Sequence, residues 1–162
     1  MTINNDPLAI MLFSEIATVD QAARARLSRA LPSGMKLSHF SVLNHFSHLG
    51  GEKTPAQLAR IFHVTKGAMT NTVARLSTAG YVHIRPDWDD ARRKLVSISP
   101  AGQAARDMAV HAIDPVFEDV IEKLGPDKIR AALPVLRALR DALGTATTDQ
   151  PRGRNSMLKR GL

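Results

Sequence analysis

The sequence predicts a mainly α-helical chain with one small β-hairpin, and three observations carry that prediction. Apolar residues recur every three or four positions over residues 8–31 and again over 101–143, as on one face of a helix. Two short helical patterns, separated by His63 and Val64, lie between residues 54 and 80. Strict alternation takes over at 81–85 and 95–98, on either side of a polar, turn-prone loop.

Leu8, Leu12, Ile16, Val19, Ala23, Leu27 and Leu31 form the stripe of a long first helix, which Pro32, Ser33 and Gly34 end. A second helix follows at residues 37–49, with Phe40, Leu43 and Phe46 among its apolar positions and Gly50 and Gly51 behind it. Thr54, Pro55, Ala56 and Gln57 then make a capping box. The threonine oxygen accepts the N–H three residues on, proline stands where no N–H is needed, and glutamine reaches back. Leu58, Ala59, Ile61 and Phe62 supply the buried side of the short helix that starts there. Thr65 caps the next helix, in which Met69, Val73 and Leu76 face inward and Gly80 suits the left-handed position after the last turn.

In the strand pair, Val82 and Ile84 share one side, His83 and Arg85 the other, and Val96 and Ile98 repeat the habit. The loop between them, residues 86–92, is polar and charged and should project into solvent as a wing. Ser99 and Pro100 open another helix whose stripe, Ala101, Ala104, Ala105, Met108, Ala112, Val116, Val120 and Leu124, runs to Gly125 and Pro126. Pro115 is expected to kink or split it. A last helix from about Asp127 passes through Ile129, Leu133, Leu136, Leu139 and Leu143, with an irregularity expected at Pro134. Past Gly144 the apolar pattern stops, and residues 145–162 are expected to be a disordered basic tail.

Composition narrows the function. The chain has no cysteine, which excludes disulfides, thiolate metal sites, cysteine nucleophiles and thiol redox sensing. No apolar run approaches the roughly 20 residues of a membrane span, and Asn4, Asn5 and Asp6 stand where a secretory signal would carry positive charge, so a cytoplasmic protein without membrane contact is expected. The net charge of +7 is unevenly placed: residues 53–94 hold 8 basic and 3 acidic side chains, and residues 145–162 hold 4 and 1. A near-neutral body with a basic middle suits a polyanion, because clustered cations replace the counterions condensed on nucleic acid.

Helix, turn, helix and hairpin in that order describe a winged helix-turn-helix, in which the second short helix enters the major groove and the hairpin reaches the backbone or minor groove. Thr65, Lys66, Gly67, Thr70 and Asn71, with Arg75 one turn later, lie on the outward side of that helix. Asparagine pairs with adenine, lysine and arginine with guanine or phosphate, and threonine with either. At the wing, Arg92, Arg93 and Lys94 follow Asp87, Asp89 and Asp90, so a cation, best placed at Arg92, can extend toward DNA while a carboxylate steadies its guanidinium through a bidentate pair. The competing readings are an ordinary solvated helix face, with Thr65 only a cap, and a self-neutralised loop. Whether Trp88 packs on the hairpin base or stands exposed stays open.

The stretch from Thr54 to Gly102 resembles the MarR family of bacterial transcription regulators. The resemblance rests on Leu76, Gly80, Tyr81 and Val82, then Asp90, Ala91 and Arg92, then Leu95, Val96, Ser97, Ile98, Ser99, Pro100, Ala101 and Gly102. It implies a ligand-responsive repressor that binds a pseudo-palindromic operator on double-stranded DNA as a homodimer. The domains expected are a dimerisation helix at 1–34, the winged helix-turn-helix at 35–99, C-terminal dimerisation helices at 100–144 and the tail. The long apolar stripes agree, since they exceed what a small winged domain covers alone.

The resemblance also implies a small aromatic or phenolic effector held between the dimer helices and the winged domain. Phe13, His39, Phe40, Leu43, His45 and Phe46 are the lining candidates, with plain core packing the competing reading. His45 and His48 share a helical face, but no carboxylate stands beside them, so no metal and no cofactor is expected. His63 and His83 are expected to face phosphate or solvent. Without a glycine-rich phosphate loop, a paired-carboxylate motif or a nucleophile elbow, the chain reads as a non-enzyme. The alternative function is a winged-helix protein-interaction module without specific DNA binding.

Overall fold

A computed structural model describes residues 7–145; the expected tail, apart from Thr145, lies outside them. Its elements are α1 (Leu8–Ala30), α2 (Leu37–Leu49), α3 (Pro55–Ile61), α4 (Lys66–Thr78), β1 (Val82–Pro86), β2 (Lys94–Ile98), α5 (Pro100–Leu124) and α6 (Pro126–Thr145). The chain divides into two compact units, one up to Glu118 and one from Asp119 onward.

Local chemistry sets the element ends. Thr54 Oγ1 accepts the Gln57 N–H at 3.1 Å and Gln57 Oε1 accepts the Thr54 N–H at 2.8 Å, which is the reciprocal cap expected from the sequence. Thr65 Oγ1 accepts the Ala68 N–H at 3.2 Å at the start of α4. His63, with φ of 52°, turns the chain between α3 and α4, and Val64 N–H donates to Ala59 O at 3.0 Å. Gly80, with φ of 77°, closes α4, and the Tyr81 N–H donates back to Leu76 O at 2.9 Å. That bond places Tyr81 on the helix end, which is why β1 starts one residue later than the alternation suggests.

The hairpin is antiparallel, in register from Val82 opposite Ile98 to Pro86 opposite Lys94. A third piece of backbone joins it where the sequence showed no strand: Lys53 N–H donates to Val96 O at 3.0 Å and Val96 N–H to Lys53 O at 2.9 Å. This bridge ties the lead-in of α3 to the wing. Beneath it lies the main core of the first unit, with Val42, Leu43 and Phe46 from α2, Leu58 and Ala59 from α3, Met69, Val73 and Leu76 from α4, then Val82, Val96 and Ala105. A smaller cluster, Leu31, Ala109 and Ile113, packs with Leu27, Phe40 and Phe117.

Pro115 does not split α5, which runs as one helix from Pro100 to Leu124, and α6 likewise continues through Pro134. One proline removes a single i→i−4 bond, and the turns on either side still hold. No residue of α1 is buried; Leu8, Ile10, Met11, Leu12, Phe13 and Val19 are all exposed. In the second unit Leu133, Val135, Leu136 and Leu143 of α6 are exposed as well.

Candidate nucleic-acid interface

Helix α4 separates its side chains as an amphipathic helix must. Met69, Thr72, Val73 and Leu76 are buried, and Lys66, Gly67, Thr70, Asn71 and Arg75 are exposed, as is the capping Thr65. Thr72 was not expected inside; its hydroxyl donates to Ala68 O at 3.1 Å, which satisfies it there. Thr70 does the same with Lys66 O at 2.8 Å on the outer face, leaving its oxygen lone pairs to accept. Asn71 and Lys66 make no side-chain hydrogen bond within the described residues, so both are free for a ligand. Arg75 borders both cavities beside α2 described below, and Asn71 borders the smaller of them.

The wing is ordered by its own acids. Asp87 is turned inward, its carboxylate accepting the Asp89 N–H at 3.0 Å and pairing with Arg93 at 3.2 Å. Asp90 accepts the Arg92 N–H at 3.0 Å and pairs with Arg93 at 3.5 Å. The guanidinium steadied by carboxylates is therefore that of Arg93, whereas Arg92 is exposed and makes no ion pair within the described residues. Two of the three acids are consumed inside the loop, which removes most of their repulsion toward phosphate. Asp89 stays exposed, and Lys94 is exposed at the start of β2.

Sequence reasoning missed the clamp at the base of this wing. Arg85 donates from Nε to Glu52 Oε1 at 2.7 Å and from Nη2 to Oε2 at 2.5 Å, and from Nη1 to Pro86 O at 3.1 Å. These bonds hold the Glu52 carboxyl below its ordinary range and raise Arg85. The same guanidinium lies over the Trp88 ring, 5.7 Å from its centroid. The outward face of β1 was a signal for Arg85, but nothing in the sequence pointed to Glu52 as its partner.

The effector candidates scatter. Leu43 and Phe46 are fully buried in the main core, Phe40 packs on the smaller cluster, and Phe13 is exposed on α1. His45 lies edge-on to Phe46 and Phe62 at centroid distances of 5.9 and 5.6 Å, and its buried Nε2 has no hydrogen-bond partner among the described residues. His39 alone of the six borders two cavities in the first unit, of about 490 and 390 Å³. The larger also meets Met35, Arg75, Tyr81 and Met108, and the smaller meets Lys36, Val64, Asn71 and Arg75. Burial first, then the charges of Lys36 and Arg75, hold His39 below the usual histidine range. Its Nδ1 accepts the Lys36 N–H at 3.2 Å, so the neutral ring carries its proton on Nε2. His63 and His83 are exposed, and His48 Nδ1 lies 2.8 Å from Asn44 O. Among the described residues no cluster of histidines and carboxylates is placed to hold a metal ion, and no helix is long and apolar enough to cross a membrane.

Residues 33–93 match the family model described as MarR family. No curated protein matches the chain in sequence. Among solved structures, BldR from Sulfolobus solfataricus, a transcriptional regulator, superposes with a TM-score of 0.73 at 20% identity over 88% of this chain and 99% of its own. A MarR variant from E. coli complexed with operator DNA gives 0.70 at 23% identity, over 84% and 98%. BpsR of Bordetella bronchiseptica, whose DNA binding is regulated by 6-hydroxynicotinic acid, gives 0.70 at 18%, over 80% and 98%. At these identities the likeness establishes the winged-helix fold.

Proposed function

We propose, starting from the MarR family winged helix that this chain carries over residues 33–93, that it regulates transcription by binding double-stranded DNA as a homodimer. The observation that carries this is the outer face of α4. Lys66, Thr70 and Asn71 are exposed together at the N-terminal end of a helix whose opposite side is core, and Arg92 on the wing is exposed with no ion pair among the described residues. In this arrangement Asn71 reads a base edge, Thr70 supports it, Lys66 and Gly67 meet bases or phosphate near the helix N-terminus, and Arg92 enters the minor groove. Arg93 holds the wing, and Lys94 contacts the backbone. Arg75 adds positive potential and stands where an effector would be felt.

Dimerisation is supported by the uncovered apolar residues of α1 and of α6, each more than a lone chain leaves in water without cause. Repression is the outcome expected of such a dimer on a promoter. We assign a small aromatic or phenolic effector to the cavities at His39 and Arg75, where a neutral imidazole and a guanidinium give an aromatic acid both a ring partner and a charge partner.

The test is a mobility-shift titration against DNA from beside the chain's own gene and against a scrambled duplex. Sequence-dependent retention in the nanomolar range supports the proposal. Weak, salt-sensitive retention of both duplexes alike overturns it in favour of a protein-interaction module.

A further inference from the structure

The chain has one tryptophan, and the wing displays it. Trp88 is 82% exposed, more than any other large apolar side chain of the described residues. Exposing an indole in water is unfavourable by the usual area rule, yet this one is held in place. Arg85 lies over the ring, Arg85 is itself fixed by both oxygens of Glu52, and the Asp89 N–H bonded to Asp87 shapes the backbone on the next residue. Loop positions with no role tend to carry small polar residues; here a large rigid ring is presented on a clamped base.

We propose that Trp88 is a second DNA-contacting element, an apolar wedge that lies in the minor groove against deoxyribose and base edges beside the contact made by Arg92. The proposal rests on the DNA-binding reading and adds an element to it. Charge complementarity commits the occupant to DNA: the segment that holds the ring, residues 53–94, carries 8 basic against 3 acidic side chains, and two of those acids are folded into the loop. Apolar side chains wedged into the minor groove are an established way for a protein to hold duplex DNA. The clamp gives the ring its orientation, so Arg85 and Glu52 act as positioning residues. Asp89 is the remaining opposed charge.

Because Trp88 is alone, its fluorescence reports its own site. The full-length chain is titrated with a duplex that it selects from a random-sequence pool, while emission and acrylamide quenching are followed and a mobility shift measures affinity. DNA should quench the emission and cut acrylamide access, and Trp88→Ala should lose about tenfold in affinity with the salt slope unchanged, since no charge is removed. Trp88→Phe should retain most of the affinity, and Glu52→Gln should weaken the emission change through a looser ring. A selected duplex bound tightly with emission and acrylamide access unaltered overturns the proposal and leaves the DNA-binding reading standing. A pool from which nothing is selected overturns both.

Discussion

Gly102 presses its Cα against the backbone carbonyl of Tyr81: a Cβ at position 102 would sit 1.9 Å from Tyr81 O and 2.8 Å from its carbonyl carbon. Ser99 completes the joint. Its hydroxyl donates to Gly80 O at 2.6 Å and accepts the Gly102 N–H at 3.0 Å, and its N–H donates to Tyr81 O at 3.0 Å. The end of α4, the start of β1 and the first turn of α5 are thus welded at one point, and that point fixes how the wing sits relative to α4.

Gly102→Ala should therefore destabilise the chain by about 3 kcal/mol, because backbone rather than a flexible side chain must move. Urea unfolding at fixed protein concentration checks it. An unchanged midpoint would mean that the joint yields freely.

Asn71→Ala should lower the preference for the selected duplex over a scrambled one by roughly 1 to 3 kcal/mol, with little change in salt dependence. Competition binding with both duplexes decides. Equal losses on the two would remove Asn71 from base reading.

The two wing arginines should behave differently despite their adjacency. Arg92→Ala removes an unpaired cation and should reduce the salt slope by about 1. Arg93→Ala frees Asp87 and Asp90 from their partner, so two carboxylates turn repulsive toward phosphate. Its affinity loss should be rescued in part by Asp90→Asn, a rescue that Arg92→Ala should not show.

His45 gives the first unit a sensitivity to acid. Burial, then the charge of Lys53, holds its pKa below the ordinary histidine value. Above about pH 6.5 the ring is neutral in folded and unfolded chain alike and its contribution to stability is complete. As pH falls below that value the unfolded chain takes up the proton first, and stability declines until the folded ring protonates too. His39 shifts in the same direction and adds to the effect. In His45→Leu the drop in urea midpoint between pH 7.5 and 5.5 should shrink; a drop equal to that of the parent would contradict the assignment.

These contrasts also show what a sequence can carry. The box at Thr54 and Gln57, the caps at Thr65 and Gly80, and the separation of Met69, Val73 and Leu76 from Lys66, Thr70 and Asn71 depend on neighbours within a turn, so spacing alone reveals them. The clamp of Glu52 on Arg85 and the bridge from Lys53 to Val96 join distant positions and leave no periodic trace. Adjacency likewise could not say which of Arg92 and Arg93 the wing acids would hold. For Leu43 and Phe46, an apolar stripe looks alike whether it walls a pocket or fills a core, and the structure puts both in the core. At Pro115 the rule for a proline in a helix allows a kink or a break, and the helix does not break there.

The most direct test of the central claim, that the outer face of α4 lies in a major groove and a second copy places another beside it, is guanine N7 protection from dimethyl sulfate on the selected duplex. The account predicts two protected patches about one helical turn, roughly 10 base pairs, apart, both lost with Asn71→Ala and Lys66→Ala combined. Tight binding with no protected N7, or a pattern untouched by those substitutions, would contradict it.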